Sequence, residues 1–150
     1  MELSELYNAR IIELAAAIGS AQRLANPDGQ ATTHSQLCGS TVSVDLQVAD
    51  GKVVAYGQTV KACLLGQASA SVMSHNIVGT SAQELRAIAQ RMRAMLKQGG
   101  PPPDGRWSDL AVLEPVKDFK AKKTCTLLGF DAVEQALDQA EAKQAHAVGA

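Results

Sequence analysis

"VKACLLGQASASVM", residues 60–73, begins as the end of a β-rich stretch, finishes as a helix of small residues, and carries Cys63 at the seam. Side chains as small as Ala68, Ser69, Ala70 and Ser71 let a helix approach a sheet closely, so the segment predicts a helix packed on strands. Cys63 at that junction is either a buried hydrophobe or a thiol held out for chemistry.

Toward the N-terminus the period is two. Val42, Val44, Leu46 and Val48 alternate with Ser43, Asp45 and Gln47, the pattern of a half-buried strand. Asp50-Gly51 is a tight-turn signal, Lys52 to Tyr56 completes a hairpin, and Gly57 marks a bend or bulge before a third short strand over 58–61. Residues 25–40, "ANPDGQATTHSQLCGS", have no period and read as a loop. Before them, Leu3, Leu6, Tyr7, Ile11, Leu14, Ala15 and Ile18 recur at helical steps, predicting one amphipathic helix ended by Gly19-Ser20.

Toward the C-terminus the period is helical. Gly79 closes the helix after Cys63, and Ser81 with Glu84 forms a capping box for a stripe of Leu85, Ile88, Ala89, Met92, Met95 and Leu96. "QGGPPPDGRW" then breaks the chain, and a short helix from Ser108 to Glu114 stops at Pro115. A last helix starting near Thr124 buries Leu127, Leu128, Val133 and Leu137 and frays after about Gln144, leaving 141–150 as a tail. The expectation is one α+β domain over 1–150, a small antiparallel three-stranded sheet packed against several helices, with no internal repeat.

Composition narrows the function. At 150 residues and 46% apolar, mostly Ala, Val and Leu, the chain can build one core. A net charge of -1 argues against nucleic acid, and the basic run Lys117, Lys120, Lys122 and Lys123 has no interleaved aromatics, so it reads as a solvated or partner-facing surface. No run approaches the roughly 18 apolar residues of a membrane span, and Met1 leads into Glu2 and Glu5, which together predict a cytoplasmic chain with no membrane partner. No Ser-His-Asp set, phosphate loop or carboxylate pair points to an enzyme. In a reducing compartment the three cysteines are expected to stay unpaired, which favours metal or sulfur chemistry.

Each cysteine falls at an edge of regular structure: Cys38 before the first predicted strand, Cys63 at the start of one helix, Cys125 at the start of the last. Helix N-termini favour a thiolate through unpaired N–H groups and the dipole. There is no C-x-x-C pair, so neither a zinc-ribbon nor a ferredoxin pattern is present, and three separate small hydrophobes remain an alternative.

The words around those cysteines carry a resemblance. "CGSTVSVDLQVADGKV", "VKACLLGQASASVMSHNIVGTSAQEL" and "KKTCTLLGFDAVEQAL" together resemble the IscU/SufU/NifU-type iron-sulfur cluster assembly scaffolds, whose marks are a C-G-D loop, a C-x-x-x-x-A-S-A-S-x-M helix start and a late cysteine opening a helix. The likeness runs from the first helix to about Leu137, and the long Pro-rich gap between Cys63 and Cys125 is similar to SufU-type members.

That resemblance implies a protein that is not an enzyme but a scaffold, in which Cys38, Cys63 and Cys125 converge at one end. There they would hold iron and sulfide as a transient iron-sulfur cluster for acceptor apo-proteins. It further implies a cysteine desulfurase as sulfur donor, with Cys125 or Cys63 as persulfide acceptor. A zinc-bound, SufU-like sulfur acceptor and a degenerate interaction module are the alternatives.

Two departures bear on the site. Ser40 stands where the family has aspartate, and a neutral hydroxyl is a poor ligand for zinc or iron. Thr124 stands where IscU-type members carry histidine. His34 is then the candidate fourth ligand, set four residues before Cys38; His75 lies three turns past Cys63, and His146 falls in the tail. "LEPVKDFKAKK", residues 113–123, partly matches the family's chaperone-recognition segment, interrupted by Glu114.

Overall fold

The computed structural model describes residues 2–18 and 22–149, with the backbone alone described for Leu3 and 146–149. Gly19 and Ser20, expected to end the first helix, and the His146 side chain lie outside what is described. Three antiparallel strands, β1 (Gly29–His34), β2 (Thr41–Ala49) and β3 (Lys52–Lys61), form one sheet in the order β1-β2-β3. Among the described residues five α-helices accompany it: α1 (Leu3–Leu6), α2 (Ala9–Ala16), α3 (Leu64–Asn76), α4 (Ala82–Gln98) and α5 (Lys120–Gly149).

The alternating face of β2 behaves as its sequence requires. Val42, Val44, Leu46 and Val48 are buried, and α5 crosses β1 and β2 while α3 packs on β3, α2 and α5. On the opposite face Asp45 is also buried, held by Arg23 through two guanidinium hydrogen bonds, by the Leu24 N–H and by Gln30 Nε2. The Arg23 bonds outweigh burial and hold the Asp45 carboxyl down at about 2, so it is ionised whenever the chain is folded near neutrality.

The sheet has the expected number of strands but a different membership. Gly57 does not break β3, which runs from Lys52 to Lys61 against β2; the register shift lies instead opposite Gln47/Val48, where Ala55 and Val53 pair and Val54 of β3 is left over. Gly57 is there because a Cβ would collide with the backbone of Gln22 and Arg23, which crosses the strand. The true third strand is β1, inside the segment read as loop, whose Gly29, Thr33 and neighbours pair with Leu46 through Thr41. Gly29 serves the same purpose, since a Cβ would meet the carbonyl of Ala136 on α5.

Three helix boundaries also differ. The first helix is two pieces, because Asn8 caps α2 by accepting from the Ile11 N–H at 3.0 Å. The segment Gly105–Asp118 is 3₁₀ throughout and runs through Pro115, with Trp107, Leu110, Leu113 and Val116 all buried. Side chains three apart eclipse in a 3₁₀ helix, so these four make one apolar ridge. Of the segment matched to chaperone recognition, Leu113 and Val116 are buried at 0% exposure, while Pro115 and Phe119 are half-buried.

The last helix starts at Lys120 rather than near Thr124 and continues to Gly149 where a frayed tail was expected. Arg86 pairs with Asp138 at 2.8 Å and Glu141 at 3.1 Å, and Gln144 donates to the Val48 carbonyl at 2.9 Å, which ties its later turns to α4 and the sheet. One half of the expected capping box is present on α4, where Ser81 accepts from the Glu84 N–H at 3.0 Å, while the Glu84 carboxylate faces Arg106; Gly99 ends the helix at φ 69°. Among the described residues no helix is long and apolar enough to cross a membrane.

Candidate functional site

With β1 ending at His34 and β2 starting at Thr41, the chain between them is only residues 35–40. That turn is closed by the Ser35 N–H donating to the Ser40 carbonyl at 2.9 Å and the Gly39 N–H to the Ser35 carbonyl at 2.8 Å. Gly39 adopts φ 71°, a left-handed turn that glycine takes without strain. Cys38 therefore sits in a tight connection, not in a long wandering loop, and Leu37 beside it is 69% exposed.

Cys63 is the N-cap of α3, as the sequence predicts, and makes no side-chain capping bond. It is free and half-buried. Cys125 is different: because α5 begins at Lys120, the cysteine lies in the second turn, its Sγ 3.9 Å from the Ala121 carbonyl, and is 1% exposed. Cys63 thus sits at a helix N-terminus and Cys125 does not.

α3 and α5 meet one turn beyond Cys63. The position a Gly66 Cβ would take lies 3.3 Å from the Cys125 carbonyl, so a glycine there permits the close crossing. Cys38 and Cys125 are joined as a disulfide, Cα to Cα 6.7 Å across 87 residues of sequence. This corrects the expectation that all three thiols stay unpaired. The physical reason is topological: β1, unseen in the sequence, delivers the 35–40 turn onto the first turns of α5.

Ser40 stands at the centre of this arrangement. It is 2% exposed; its Oγ accepts from the Cys63 N–H at 3.3 Å and lies 3.0 Å from Cys38 Sγ. A disulfide sulfur carries no proton, so the hydroxyl is the donor in that second contact. The sequence marks Ser40 only as a missing ligand, whereas the structure makes it the group that ties the segments of two cysteines together. Ser35 is buried beside it in the same turn, its hydroxyl without a partner among the described residues.

The histidines do not join the cysteines. His34 is the exposed last residue of β1, its Nδ1 sharing a hydrogen bond with Thr41 Oγ1 at 3.0 Å. His75, twelve residues on from Cys63 in α3, is about 18 Å away along the helix axis and bonds the Ser71 carbonyl at 2.7 Å. His34 and Thr124 instead border an open polar groove between β1, α4 and α5, where Arg93 pairs with Asp131 and Glu134. As the chain stands, with two of its three sulfurs bonded to each other, no three His, Cys, Asp or Glu side chains among the described residues are grouped to hold a metal ion. The donors fit a soft metal or a cluster as cargo once that disulfide is reduced, because thiolates are the ligands iron and zinc prefer.

No protein-family model matches the chain. A solved NifU-like protein (N-terminal) from Brucella abortus is 50% identical and superposes with a TM-score of 0.91, covering 94% of this chain and 98% of that one. The iron-sulfur cluster assembly scaffold protein IscU of Thermotoga maritima is 26% identical over 100 residues, 67% of this chain and 70% of that protein. A SufU structure from Fervidobacterium islandicum, 20% identical, shares the fold with a TM-score of 0.81 over 91% of this chain and 99% of its own.

Proposed function

The chain belongs to the IscU/SufU/NifU N-terminal-type family, and from that premise we propose that it is an iron-sulfur cluster assembly scaffold that carries iron and sulfide on Cys38, Cys63 and Cys125. The observation that supports this reading most is the buried Ser40 hydroxyl, hydrogen-bonded at once to Cys63 and to the Cys38 sulfur that is bonded to Cys125. One small polar atom thereby marks where three segments distant in sequence come together.

Each residue has a task in this reading. Cys63, set at the N-terminus of a thirteen-residue helix, is a free, half-buried sulfur that makes no capping bond and so is open to a ligand. Cys38 and Cys125 become ligands when a dithiol reduces their bond. Ser40 brings no charge, so three thiolates and no carboxylate face the cargo, leaving the fourth position to a partner's thiolate or a small thiol. Sulfur arrives from a cysteine desulfurase at an accessible thiol; Cys63 and Cys38 are half-buried, while Cys125 is covered. Acceptor apo-proteins then take the finished cluster.

The test is metal content. Purified without oxygen, reduced with a dithiol and offered iron and sulfide, the chain is expected to retain the two in near equal amounts with visible absorption. Cys63→Ser should lower that retention by about tenfold or more, as loss of one thiolate ligand does. Zinc alone, colourless and retained in preference to iron, would favour the zinc-bound sulfur acceptor instead. Full cluster retention by Cys63→Ser would remove the three-thiolate reading.

A further inference from the structure

Two of the three cysteines form a pair of unequal access. Cys38 is half-buried in an exposed turn, beside the 69% exposed Leu37, while Cys125 is 1% exposed and bonded to it. Cys63 has no such partner. A scaffold that receives sulfur as persulfide faces an electron problem: sulfane sulfur is formally neutral, and a cluster needs sulfide, two electrons richer.

We propose that the Cys38/Cys125 pair releases sulfide from persulfide, with Cys38 as the carrier and Cys125 as the resolving thiol. Cys38 thiolate first attacks the terminal sulfur of a donor persulfide, giving Cys38–S–SH and the donor's thiolate. Cys125 thiolate then attacks Cys38 Sγ. The Cys38–Cys125 bond forms, the bond between Cys38 Sγ and the terminal sulfur breaks, and HS⁻ leaves. The two cysteine thiolates supply the two electrons, so atoms and charge balance with no further reductant in the turnover, and the product is the disulfide seen in the structure. A dithiol resets the pair.

The geometry suits both steps. The carrier is the sulfur a partner can reach, and the resolving sulfur is shielded from it. Ser40 Oγ, 3.0 Å from Cys38 Sγ and bonded to the Cys63 N–H, holds the carrier turn in register while HS⁻ departs next to Cys63, the thiol that stays free. Ser40 is a positioning residue in this scheme. The unequal burial in the disulfide-bonded chain supports this order over the reverse, since Cys125 is 1% exposed where Cys38 is half-buried.

This inference rests on the scaffold reading and fails separately from it. The full chain, reduced and desalted without oxygen, is given one equivalent of cysteine persulfide with no iron and no reductant. Free sulfide, intact mass and disulfide mapping are followed. The expected result is about one sulfide per chain, a chain lighter by two hydrogens, and a Cys38–Cys125 peptide pair. Cys125→Ser should keep the added sulfur and release sulfide at least about tenfold more slowly. As a check that needs no variant, the wild-type chain left oxidised should release none. A wild-type chain that stably retains persulfide, or a Cys125→Ser chain that releases sulfide at the wild-type rate, overturns the proposal. In parallel the reduced chain is offered iron and ready-made sulfide: holding them without releasing sulfide from persulfide sinks only this inference, and the converse sinks only the scaffold reading.

Discussion

Ser40 is the residue on which the site turns. Against the family pattern it is a lost carboxylate, but its burial and its two contacts show a side chain aimed into the space among the cysteines. A residue that already points there can be converted into a ligand by chemistry alone. Ser40→Asp places an anion at the same position, and in the reduced chain it is expected to tighten zinc binding by about tenfold or more, since a charged oxygen donor replaces a neutral one. Competition against a chromophoric chelator measures it. Unchanged zinc affinity would mean that the hydroxyl turns away once the disulfide is reduced. The same substitution should cost some stability in the oxidised chain, where it buries a charge at a 2% exposed position and removes the hydroxyl that donates to Cys38 Sγ.

At the scale of elements, legibility in the sequence tracks how strongly one period dominates. β2 and α4 were readable because burial there is one-sided and repeats at two or near 3.6 residues. β1 was not, since an edge strand reading Gly29-Gln30-Ala31-Thr32-Thr33-His34 buries little and owes its place to Gly29 sliding under α5. The stretch after the proline run is hard to read for another reason: its period is three, at Trp107, Leu110, Leu113 and Val116, a spacing no ordinary helix sustains. That ridge makes a specific claim about neighbours. Leu113→Ala should cost about 2–5 kcal/mol, as full burial requires, whereas Val112→Ala, only half-buried, should cost under about 1.5 kcal/mol. Urea unfolding compares them. Equal losses would mean that the segment does not present a single face to the core.

For the whole molecule, two of the cysteines add a covalent link between a sheet and a last helix otherwise held by packing and a few hydrogen bonds. Their local words and the small-residue helix after Cys63 were visible in the sequence, and so was the prospect of convergence; which two would touch was not, because that depends on the unseen β1 and on α5 starting a turn early. The Cys38–Cys125 bond closes a separation of 87 residues between the sheet and the last helix. Closing so long a loop restricts the unfolded chain, and the usual gain is about 2–4 kcal/mol. Reduction should therefore lower the urea midpoint by an amount worth about 2–4 kcal/mol and leave the chain folded, since one apolar core spans the sheet, all the longer helices and the 3₁₀ ridge. The state able to hold cargo is then the less stable of the two, loosened where Cys38 and Cys125 must separate enough to admit it. Unfolding curves with and without a dithiol, alongside Cys38→Ser as the permanently open form, test this. If the variant matched the oxidised wild type, the disulfide would contribute nothing to stability, and cargo loading would have to be limited by something other than opening this end of the fold.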